Sequence, residues 1–311
     1  MRFVIVGAGA MGSLFAAHVA RTEAEIWVCD KWQQHIDAIR SHGLVVRCDG
    51  AEAAVRLRAT SDPREPGTAD VVMIFVKYNQ TRDALHAMRP LVGPRTALLT
   101  LQNGLGNVEL IREAFPENRV FYGFTTLTSE LLGPGRIEAS YAGRGETYLW
   151  AQGGSRDAEL EALRSLLESG GINAIIAPEI ELMIWKKLIV NCCLNTLCAI
   201  TGLSVGQLAD NAESWPVLEG VADEIVAVAT RKAIPLDSAQ AREFLRSVAH
   251  EARSHFPSML IDVKQGRQTE IECLNGAIIR EAAKFGIPTP FNRTLYSLIR
   301  IIESKAIRAA Q

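Results

Sequence analysis

A glycine-rich turn between a short apolar run and a helical pattern is the feature of this sequence that most restricts its fold. Residues 7–12 read Gly-Ala-Gly-Ala-Met-Gly, the apolar run covers 3–6, and the helical pattern covers 10–21. In this context Gly7 permits a tight turn, Gly9 lets the backbone approach a pyrophosphate, and Gly12 lets helix and strand pack closely. The helix N-terminus adds amide donors and a partial positive charge. The turn therefore predicts a dinucleotide site with contacts from Gly7, Ala8, Gly9, Ala10, Met11 and Gly12.

The end of the second predicted strand carries two adjacent residues of opposite charge. Asp30 closes the apolar run 26–29 and is followed at once by Lys31. An acid at this place accepts hydrogen bonds from the adenosine ribose hydroxyls and repels a 2′-phosphate, which favours NAD(H). Lys31 could instead pair with such a phosphate, which favours NADP(H), or lie in solvent as an ordinary surface charge. These two residues leave the choice of cofactor open.

The two halves of the chain differ in their pattern. Before residue 178, short apolar runs alternate with helical patterns, which is typical of a parallel sheet with crossover helices. Near 133–135 the pattern changes to a predicted hairpin of strands 137–140 and 147–150, with Gly143 and Gly145 in its turn. From Pro178 onward only helical patterns follow, at 179–200, 216–232, 239–254, 270–285 and 292–307. We predict an α/β, Rossmann-type doubly wound domain at 1–177 and an all-helical domain at 178–311.

The charge balance and one apolar stretch bear on the partners of the chain. There are 33 Lys plus Arg against 35 Asp plus Glu, so no basic excess exists to bind nucleic acid or an anionic membrane. No charged residue occurs at 188–209, a length that could span a bilayer, but polar residues and glycines interrupt it, and each would be costly in lipid. We interpret this stretch as protein interior, and we expect neither nucleic acid nor a membrane as a partner.

The spacing of cysteines and histidines argues against a disulfide framework and against a metal site. The six cysteines form no C-x-x-C pair, and most lie among apolar neighbours, as buried thiols do. His250 and His255 are five residues apart, whereas the H-E-x-x-H motif places its histidines four apart on one helix face. We expect reduced thiols, no bound metal and a cytoplasmic location.

Three polar residues share one face of the helix that begins the helical half. Lys187, Asn191 and Asn195 are spaced i, i+4 and i+8. Burial lowers the pKa of a lysine toward neutrality, which suits a general acid that protonates a carbonyl oxygen as hydride reaches the carbon. Glu270, at the start of a predicted long helix, is available as its partner. The alternatives are a Lys187 that extends to solvent while both asparagines cap backbone groups, and a Glu270 that only complements the helix dipole.

These residues belong to a series of motifs that resembles the ketopantoate reductase (2-dehydropantoate 2-reductase) family over nearly the whole chain. Their order and spacing make the resemblance specific. The motifs are Gly-Ala-Gly-Ala-Met-Gly at 7–12, Val-Lys at 76–77, Gln-Asn-Gly-Leu-Gly-Asn at 102–107, Trp-Lys-Lys-Leu-Ile-Val-Asn at 185–191, Asn195, Pro-Ser-Met-Leu-Ile-Asp at 257–262, Thr-Glu-Ile at 269–271 and Asn-Gly at 275–276. The resemblance implies a 6-phosphogluconate-dehydrogenase-like architecture, in which a helical domain closes over a small 2-keto acid.

The resemblance also implies a reaction and a set of site residues. Members of the family are oxidoreductases that reduce a 2-keto acid to a D-2-hydroxy acid with NADP(H), in pantothenate biosynthesis. Lys187 matches their proton donor, and Glu270 matches their essential acid beside the substrate. The other implied contacts are Lys77, Asn103 and Ser129 (in a loop) to the cofactor, and Asn103, Lys187, Asn191, Asn195 and Ser258 to the substrate.

Two departures from the family pattern point to one of its branches. Where the family commonly has Asn-Pro-Leu-Thr-Ala, residues 195–199 read Asn-Thr-Leu-Cys-Ala, and Asp30 stands where NADP-using members often have an arginine. Both features resemble the NAD(H)-dependent D-2-hydroxyacid (D-mandelate) dehydrogenases, and we expect Cys198 to line or abut the substrate pocket. A hypothesis of another class is a non-catalytic dinucleotide-sensing protein, but such a protein needs no buried proton donor. A homodimer is compatible with the sequence.

Overall fold

The chain divides into two compact units. The computed structural model describes residues 1–139, 145–154 and 156–309, with side chains to residue 305. The first unit comprises Met1–Gln102 and Asn107–Ile180, and the second comprises Asn103–Gly106 and Glu181–Gln311. The segment Asn103–Gly106 therefore belongs to the second unit, although both of its neighbours in sequence belong to the first. The predicted domains, 1–177 and 178–311, differ from the observed units at this point, because they place the segment in the first domain.

The first unit is built on two sheets. Within the described residues the strands are β1 (Arg2–Val6), β2 (Glu25–Cys29), β3 (Leu44–Cys48), β4 (Ala51–Val55), β5 (Arg58–Thr60), β6 (Val71–Ile74), β7 (Ala97–Thr100), β8 (Val120–Thr125), β9 (Ser129–Gly133), β10 (Arg136–Ala139), β11 (Glu146–Ala151) and β12 (Asn173–Ile176). The larger sheet has the order β12-β11-β8-β7-β6-β1-β2-β5, and the smaller has the order β4-β3-β10-β9. In the larger sheet β5, β2, β1, β6, β7 and β8 are parallel, whereas β11 runs antiparallel to β8.

Helices cover both faces of the larger sheet. In the described part of the first unit they are α1 (Ala10–Val19), α2 (Gln33–His42), α3 (Thr81–Ala87), α4 (Asn107–Ala114) and α5 (Ala158–Ser169). Along β1, Phe3 and Ile5 join the core that contains α1, α2 and α5, while Val4 and Val6 join the core that contains α3 and α4. A strand buried on both faces is apolar throughout, which is why 3–6 reads as a continuous run. The predicted doubly wound α/β sheet is confirmed.

The predicted hairpin of 137–140 with 147–150 is wrong. β10 pairs with β9 and β3 in the smaller sheet, whereas β11 pairs with β8 and β12 in the larger one. The hairpin is instead formed by β9 and β10 around Gly133-Pro134-Gly135. Local alternation indicates that a strand exists, but it does not select the strand's partner. Ser140 and Gly143 lie outside the described residues.

The second unit is helical. Its described helices, with α6 beginning at the last residue of the first unit, are α6 (Ile180–Val190), α7 (Thr196–Thr201), α8 (Val205–Ala209), α9 (Ser214–Arg231), α10 (Ser238–Glu251), α11 (Ser258–Lys264), α12 (Asn275–Ala283) and α13 (Pro290–Ala309). A π turn at Asn191–Asn195 joins α6 to α7 without a break. Among the described residues this helix, Ile180–Thr201, is the one long and apolar enough to cross a membrane, and 56% of its apolar window is buried inside the protein. Such burial fits our interpretation of 188–209 as protein interior.

Candidate active site

The glycine-rich turn has the geometry that a dinucleotide pyrophosphate requires. Gly7 has a φ of +97°, and a Cβ there would lie 2.6 Å from the Val76 nitrogen. A Cβ on Gly12 would lie 1.9 Å from the Gly7 oxygen, so only glycine lets α1 begin so close to β1. At Gly9, by contrast, a Cβ would meet no atom within 4 Å. The turn is therefore closed on the protein side and open at Gly9, where the N-terminus of α1 can receive phosphate.

Asp30 is tied to this turn by hydrogen bonds. Its Oδ2 accepts the backbone N–H of Ala8 at 2.7 Å, and its Oδ1 accepts the backbone N–H of Trp32 at 2.9 Å. The carboxylate is thus held at the carboxyl end of β2, beside the glycine-rich turn, while each oxygen keeps a lone pair for a ribose hydroxyl. Lys31, next to it, is exposed. The structure brings Asp30 and the turn together, as the sequence predicted.

Lys77 and Ser129, the two other predicted cofactor contacts in the first unit, lie in different places. Lys77 follows β6 and precedes a 3₁₀ helix at Tyr78–Gln80. Since β6 is the parallel neighbour of β1, Lys77 and the glycine-rich turn share the carboxyl edge of the sheet, where α/β folds bind ligands. Ser129 lies in strand β9 of the smaller sheet, not in a loop, and its hydroxyl donates to the Glu138 carbonyl at 3.0 Å. The resemblance implied that Ser129 lies in a loop, whereas in the structure it is paired in a strand.

Lys187 and the two asparagines lie on one continuous helix that contains an irregular turn. Lys187 is in the last turn of α6, and Asn191 and Asn195 are the ends of the π turn. The Asn195 Nδ2 donates to the Asn191 Oδ1 at 3.1 Å, so both amides share a face. π turns carry one extra residue per turn and occur frequently at functional sites. Sequence spacing predicted the shared face but not the π turn.

Burial and a nearby carboxylate act on the charge of Lys187 in opposite directions. Burial lowers the pKa of its ammonium from 10.5 to about 8, and the Glu270 carboxylate acts in the opposite direction by favouring the charged form. Burial is the larger effect. A lysine with a pKa of about 8 is largely protonated at neutral pH and can still give up its proton readily.

The segment Asn103–Gly106 packs against the residues that carry Glu270. The Asn103 Nδ2 donates to the Glu270 Oε2 at 3.0 Å. The Leu105 backbone N–H donates to the Cys273 carbonyl at 2.9 Å. Gly104 has a φ of +77°, and a Cβ there would lie 2.2 Å from the Cys273 oxygen, so this approach requires glycine. The structure therefore brings Asn103, Glu270 and Lys187 into one cluster within the second unit.

Glu270 lies in a turn rather than at the start of a helix. The predicted helix 270–285 begins only at Asn275, so its predicted start is wrong. The Thr269 hydroxyl accepts the Ile271 backbone N–H at 3.2 Å, and the Cys273 N–H donates to the Glu270 carbonyl at 3.1 Å. These local bonds compete with helical pairing, which is the usual effect of a threonine next to a turn. Glu270 is therefore not an acid that caps a helix dipole.

Ser258 and Cys198 differ in exposure. Ser258 is the first residue of α11 and is exposed, and α11 packs against α7 and the π turn. Its contact with substrate stays a prediction. Cys198 has no exposed surface, so it does not line an open surface, and the expectation that it abuts the substrate pocket stays a prediction. α7 turns this thiol into the interior, where burial raises its pKa to about 11.

Sequence reasoning missed the polar residues that hold the π turn. The Thr196 hydroxyl donates to the Asn275 Oδ1 at 2.8 Å, and the Asn275 Nδ2 donates to the Cys192 carbonyl at 3.2 Å and to the Asn292 Oδ1 at 3.0 Å. All three polar side chains are fully buried. In the sequence, Thr196 stands out only because it replaces a proline of the family pattern. Its apolar surroundings were the available signal, since a buried hydroxyl needs a partner.

Comparisons with known proteins cover nearly all of the chain. The family models described as "Ketopantoate reductase PanE/ApbA" and "Ketopantoate reductase PanE/ApbA C terminal" match residues 3–152 and 179–303. A 2-dehydropantoate 2-reductase of Streptococcus pyogenes is 31% identical over 98% of both chains. One of Halobacterium salinarum is 32% identical over 97% of this chain and 99% of its own.

Two solved structures share the fold closely. A D-mandelate dehydrogenase with NADH and anilino(oxo)acetate has a TM-score of 0.92 and 29% identity, covering 98% of this chain and 99% of that chain. A PanE/ApbA family ketopantoate reductase from Ralstonia eutropha has a TM-score of 0.89 and 32% identity with the same coverage. The similarity thus extends through both structural units.

Proposed function

We propose that this chain, which belongs to the ketopantoate reductase family, is a nicotinamide-dependent oxidoreductase that reduces a small 2-keto acid to a D-2-hydroxy acid. The observation that carries the proposal is the partly buried Lys187, whose pKa is lowered to about 8 in the presence of the Glu270 carboxylate. A dinucleotide-sensing protein without chemistry has no use for such a proton donor. For a ketopantoate substrate the reaction would serve pantothenate biosynthesis.

The chemistry divides between the cofactor and the side chains. A nicotinamide supplies hydride to the keto carbon when bound. We propose that Lys187 gives its proton to the keto oxygen, so that the C=O bond becomes CH–OH and the amine is left neutral. Glu270 favours the protonated amine before that step, and Asn103 holds the Glu270 carboxylate in place. Solvent returns the proton to Lys187 after product leaves.

The remaining predicted residues are assigned to binding. We propose that the Asn191 and Asn195 amides, with the exposed Ser258 hydroxyl, hold the carboxylate and hydroxyl oxygens of the substrate. The domain 1–177 would bind the dinucleotide through the glycine-rich turn, Lys77 and Ser129, and the domain 178–311 would bind the substrate. Asn103 would serve both, although it lies within 1–177, because its segment packs with the second unit.

We propose NADH as the preferred cofactor, because the Asp30 carboxylate is fixed beside the glycine-rich turn. Two substrate hypotheses remain to be tested. The first is that the 2-keto acid is ketopantoate, and the second is that it is the substrate of a D-mandelate-type dehydrogenase. The similarity to a D-mandelate dehydrogenase solved with NADH supports this second hypothesis. Membership of the ketopantoate reductase family in general favours NADP(H). The Asp30 carboxylate and family membership therefore predict different cofactors.

A substrate scan tests the proposed reaction. We expect the purified protein to oxidise NADH or NADPH, followed at 340 nm (the nicotinamide absorbance), with ketopantoate, benzoylformate or a related 2-keto acid, and to form the D product. Preference for ketopantoate would support the first substrate hypothesis, and preference for benzoylformate the second. The proposal is wrong if none of these keto acids increases the oxidation of either cofactor.

The cofactor preference depends on the charge of Asp30. Asp30→Asn keeps an oxygen that can accept the Ala8 N–H but removes the charge that would repel a 2′-phosphate. Like charges ~4 Å apart cost about 1 kcal/mol in water and about 4 at an intermediate dielectric, so we expect the NADPH/NADH ratio of kcat/KM to rise about tenfold or more. Asp30→Ala also removes the acceptor, and we expect it to weaken binding of both cofactors.

Asp37→Asn provides the matched control for Asp30→Asn, because Asp37 is an exposed acid on α2 that pairs with Gln33. We expect it to leave the ratio unchanged. An unchanged ratio in Asp30→Asn itself would mean that this carboxylate does not face the ribose 2′ position.

We also propose a cytoplasmic location, in keeping with cysteines that form no disulfide. Burial raises the pKa of the Cys29 thiol to about 12 and that of Cys198 to about 11, so neither is a reactive thiolate. A homodimer is the assembly that we propose to test, by light scattering.

A further inference from the structure

A buried carboxylate on α13 is bonded to the residue that precedes Glu270. The Thr269 backbone N–H and the Thr269 hydroxyl both donate to the Glu303 Oε1, at 2.8 and 2.7 Å. Thr269 is 5% exposed and Glu303 is 7% exposed, so water competes little for these bonds. The other carboxylate oxygen of Glu303 accepts from Arg300 at 2.9 Å. Hydrogen bonds to a charged, buried acceptor are the stronger kind.

The same bonds fix the backbone on both sides of Glu270. Before Glu270, the Thr269 N–H is held directly by Glu303. After Glu270, the Ile271 N–H donates to the Thr269 hydroxyl oxygen at 3.2 Å, and that hydroxyl is itself oriented by Glu303. One carboxylate therefore holds the Gln268–Thr269 peptide group directly and the Glu270–Ile271 peptide group through the Thr269 hydroxyl, which restrains the backbone before and after Glu270.

We propose that Glu303 is a positioning residue: through Thr269 it holds Glu270 where the Glu270 carboxylate meets Asn103 and acts on Lys187. The inference rests on the proposed function, since it concerns the same proton-donating site. We assign Glu303 and Thr269 no contact with substrate or cofactor. Their effect on turnover passes through the placement of the Glu270 carboxylate.

A purely structural role is the competing explanation, and the chain contains an example of it. At the other end of α13, the buried Glu224 accepts the backbone N–H groups of Phe291 and Asn292 at 2.8 and 2.9 Å. A buried carboxylate that caps a helix stabilises the fold without contributing to catalysis. The test must therefore measure the state of Lys187 as well as turnover and folding.

The experiment compares Thr269→Val with Thr269→Ser. Valine keeps the shape of threonine and removes the hydroxyl, whereas serine keeps the hydroxyl. Because a displacement of about 1 Å can cost about a hundredfold in rate, we expect Thr269→Val to lower kcat roughly ten- to a hundredfold and Thr269→Ser to restore most of it. Thr230→Val is the control, since it removes a hydroxyl that donates to the Val226 carbonyl at 2.9 Å in the same unit. We expect it to be as active as the wild type.

The pKa of Lys187 is measured in the same proteins without substrate, by trace acetylation of lysines with acetic anhydride over a range of pH and mass spectrometry of the peptide that contains residue 187. The Glu270 carboxylate raises this pKa, so its displacement in Thr269→Val should move the labelling midpoint to lower pH. If Thr269→Val does not fold, Glu303→Gln, which keeps one oxygen acceptor, is measured instead, and a smaller shift in the same direction is expected.

Each outcome decides the inference separately from the proposed function. A lower midpoint in Thr269→Val, with the wild-type midpoint in Thr269→Ser and Thr230→Val, supports the positioning role. An unchanged midpoint overturns it, whether or not turnover falls, because a structural role alone would leave Lys187 unaffected. If the wild type reduces no 2-keto acid, the proposed function fails, and the labelling midpoints still decide whether Glu303 and Thr269 position Glu270.

Discussion

Lys187→Met should lower kcat by roughly 10²–10⁴-fold, the usual contribution of a general acid, while the protein still folds and binds the dinucleotide. Methionine has nearly the length of lysine and fits a partly buried site, but it has no proton to give. The glycine-rich turn belongs to the first structural unit, whereas Lys187 belongs to the second, so we expect the cofactor Kd to stay close to that of the wild type. Initial rates and a fluorescence titration with NADH measure the two effects.

Lys186→Met is the matched control for this substitution. Successive residues of a helix point about 100° apart, and the Lys186 ammonium lies over the ring of Phe244, 5.9 Å from its centroid. We expect its removal to leave kcat nearly unchanged. Near-normal turnover by a folded Lys187→Met protein would disprove the assignment of Lys187 as the proton donor.

The wild-type pH profile gives the same assignment an independent check. Reduction of the keto acid needs the protonated amine, so kcat/KM for reduction should be highest at low pH and should fall as pH rises through about 8, the pKa of Lys187. Oxidation of the hydroxy acid needs the neutral amine and should show the opposite trend around the same midpoint. In Lys187→Met we expect the residual activity to lack this midpoint.

The parts of the fold that could be predicted from the sequence depend on short-range constraints. The three glycines of the turn have different local roles. At Gly7 and Gly12 the backbone of another residue approaches too closely for a Cβ, whereas the space at Gly9 is open. Asp30 could be placed because it ends the strand that follows in sequence. The face shared by Asn191 and Asn195 follows from helical spacing, and the small rotation of the π turn does not separate the two amides.

The parts that could not be predicted depend on contacts between distant residues. The sequence patterns at 137–140 and 147–150 each resemble one strand of a hairpin. In the structure, β10 and β11 instead belong to two different sheets. The segment Asn103–Gly106 leaves the first unit to pack beside Cys273, which no local pattern indicates. Glu303 looks like an ordinary helical acid in the sequence, and only the fold shows that Thr269 is its partner. Site residues that act through other residues are thus the hardest to find.

Glu270→Gln should damage turnover through the charge state of Lys187. Glutamine keeps an oxygen that can accept the Asn103 amide, so the substitution removes the charge and keeps the shape. The carboxylate raises the pKa of Lys187, and without it the lysine pKa should fall below about 8, so less of the amine is protonated at neutral pH. We expect kcat/KM for reduction at neutral pH to fall by about tenfold for each unit that the pKa of Lys187 drops below the assay pH, and its pH midpoint to move lower.

Comparison with Glu270→Ala and with a neighbouring acid separates charge from position. Glu270→Ala also removes the acceptor for Asn103, so we expect both kcat and KM to deteriorate further. Glu272, two residues away, pairs with Arg280 at 2.6 Å, and we expect Glu272→Gln to keep the wild-type midpoint and rate. The glycine-rich turn and Asp30 lie in the first unit, so the part of the cofactor affinity that they supply should be unchanged in these variants. A change confined to cofactor affinity would assign Glu270 to the nucleotide site instead and would remove its proposed role beside the proton donor.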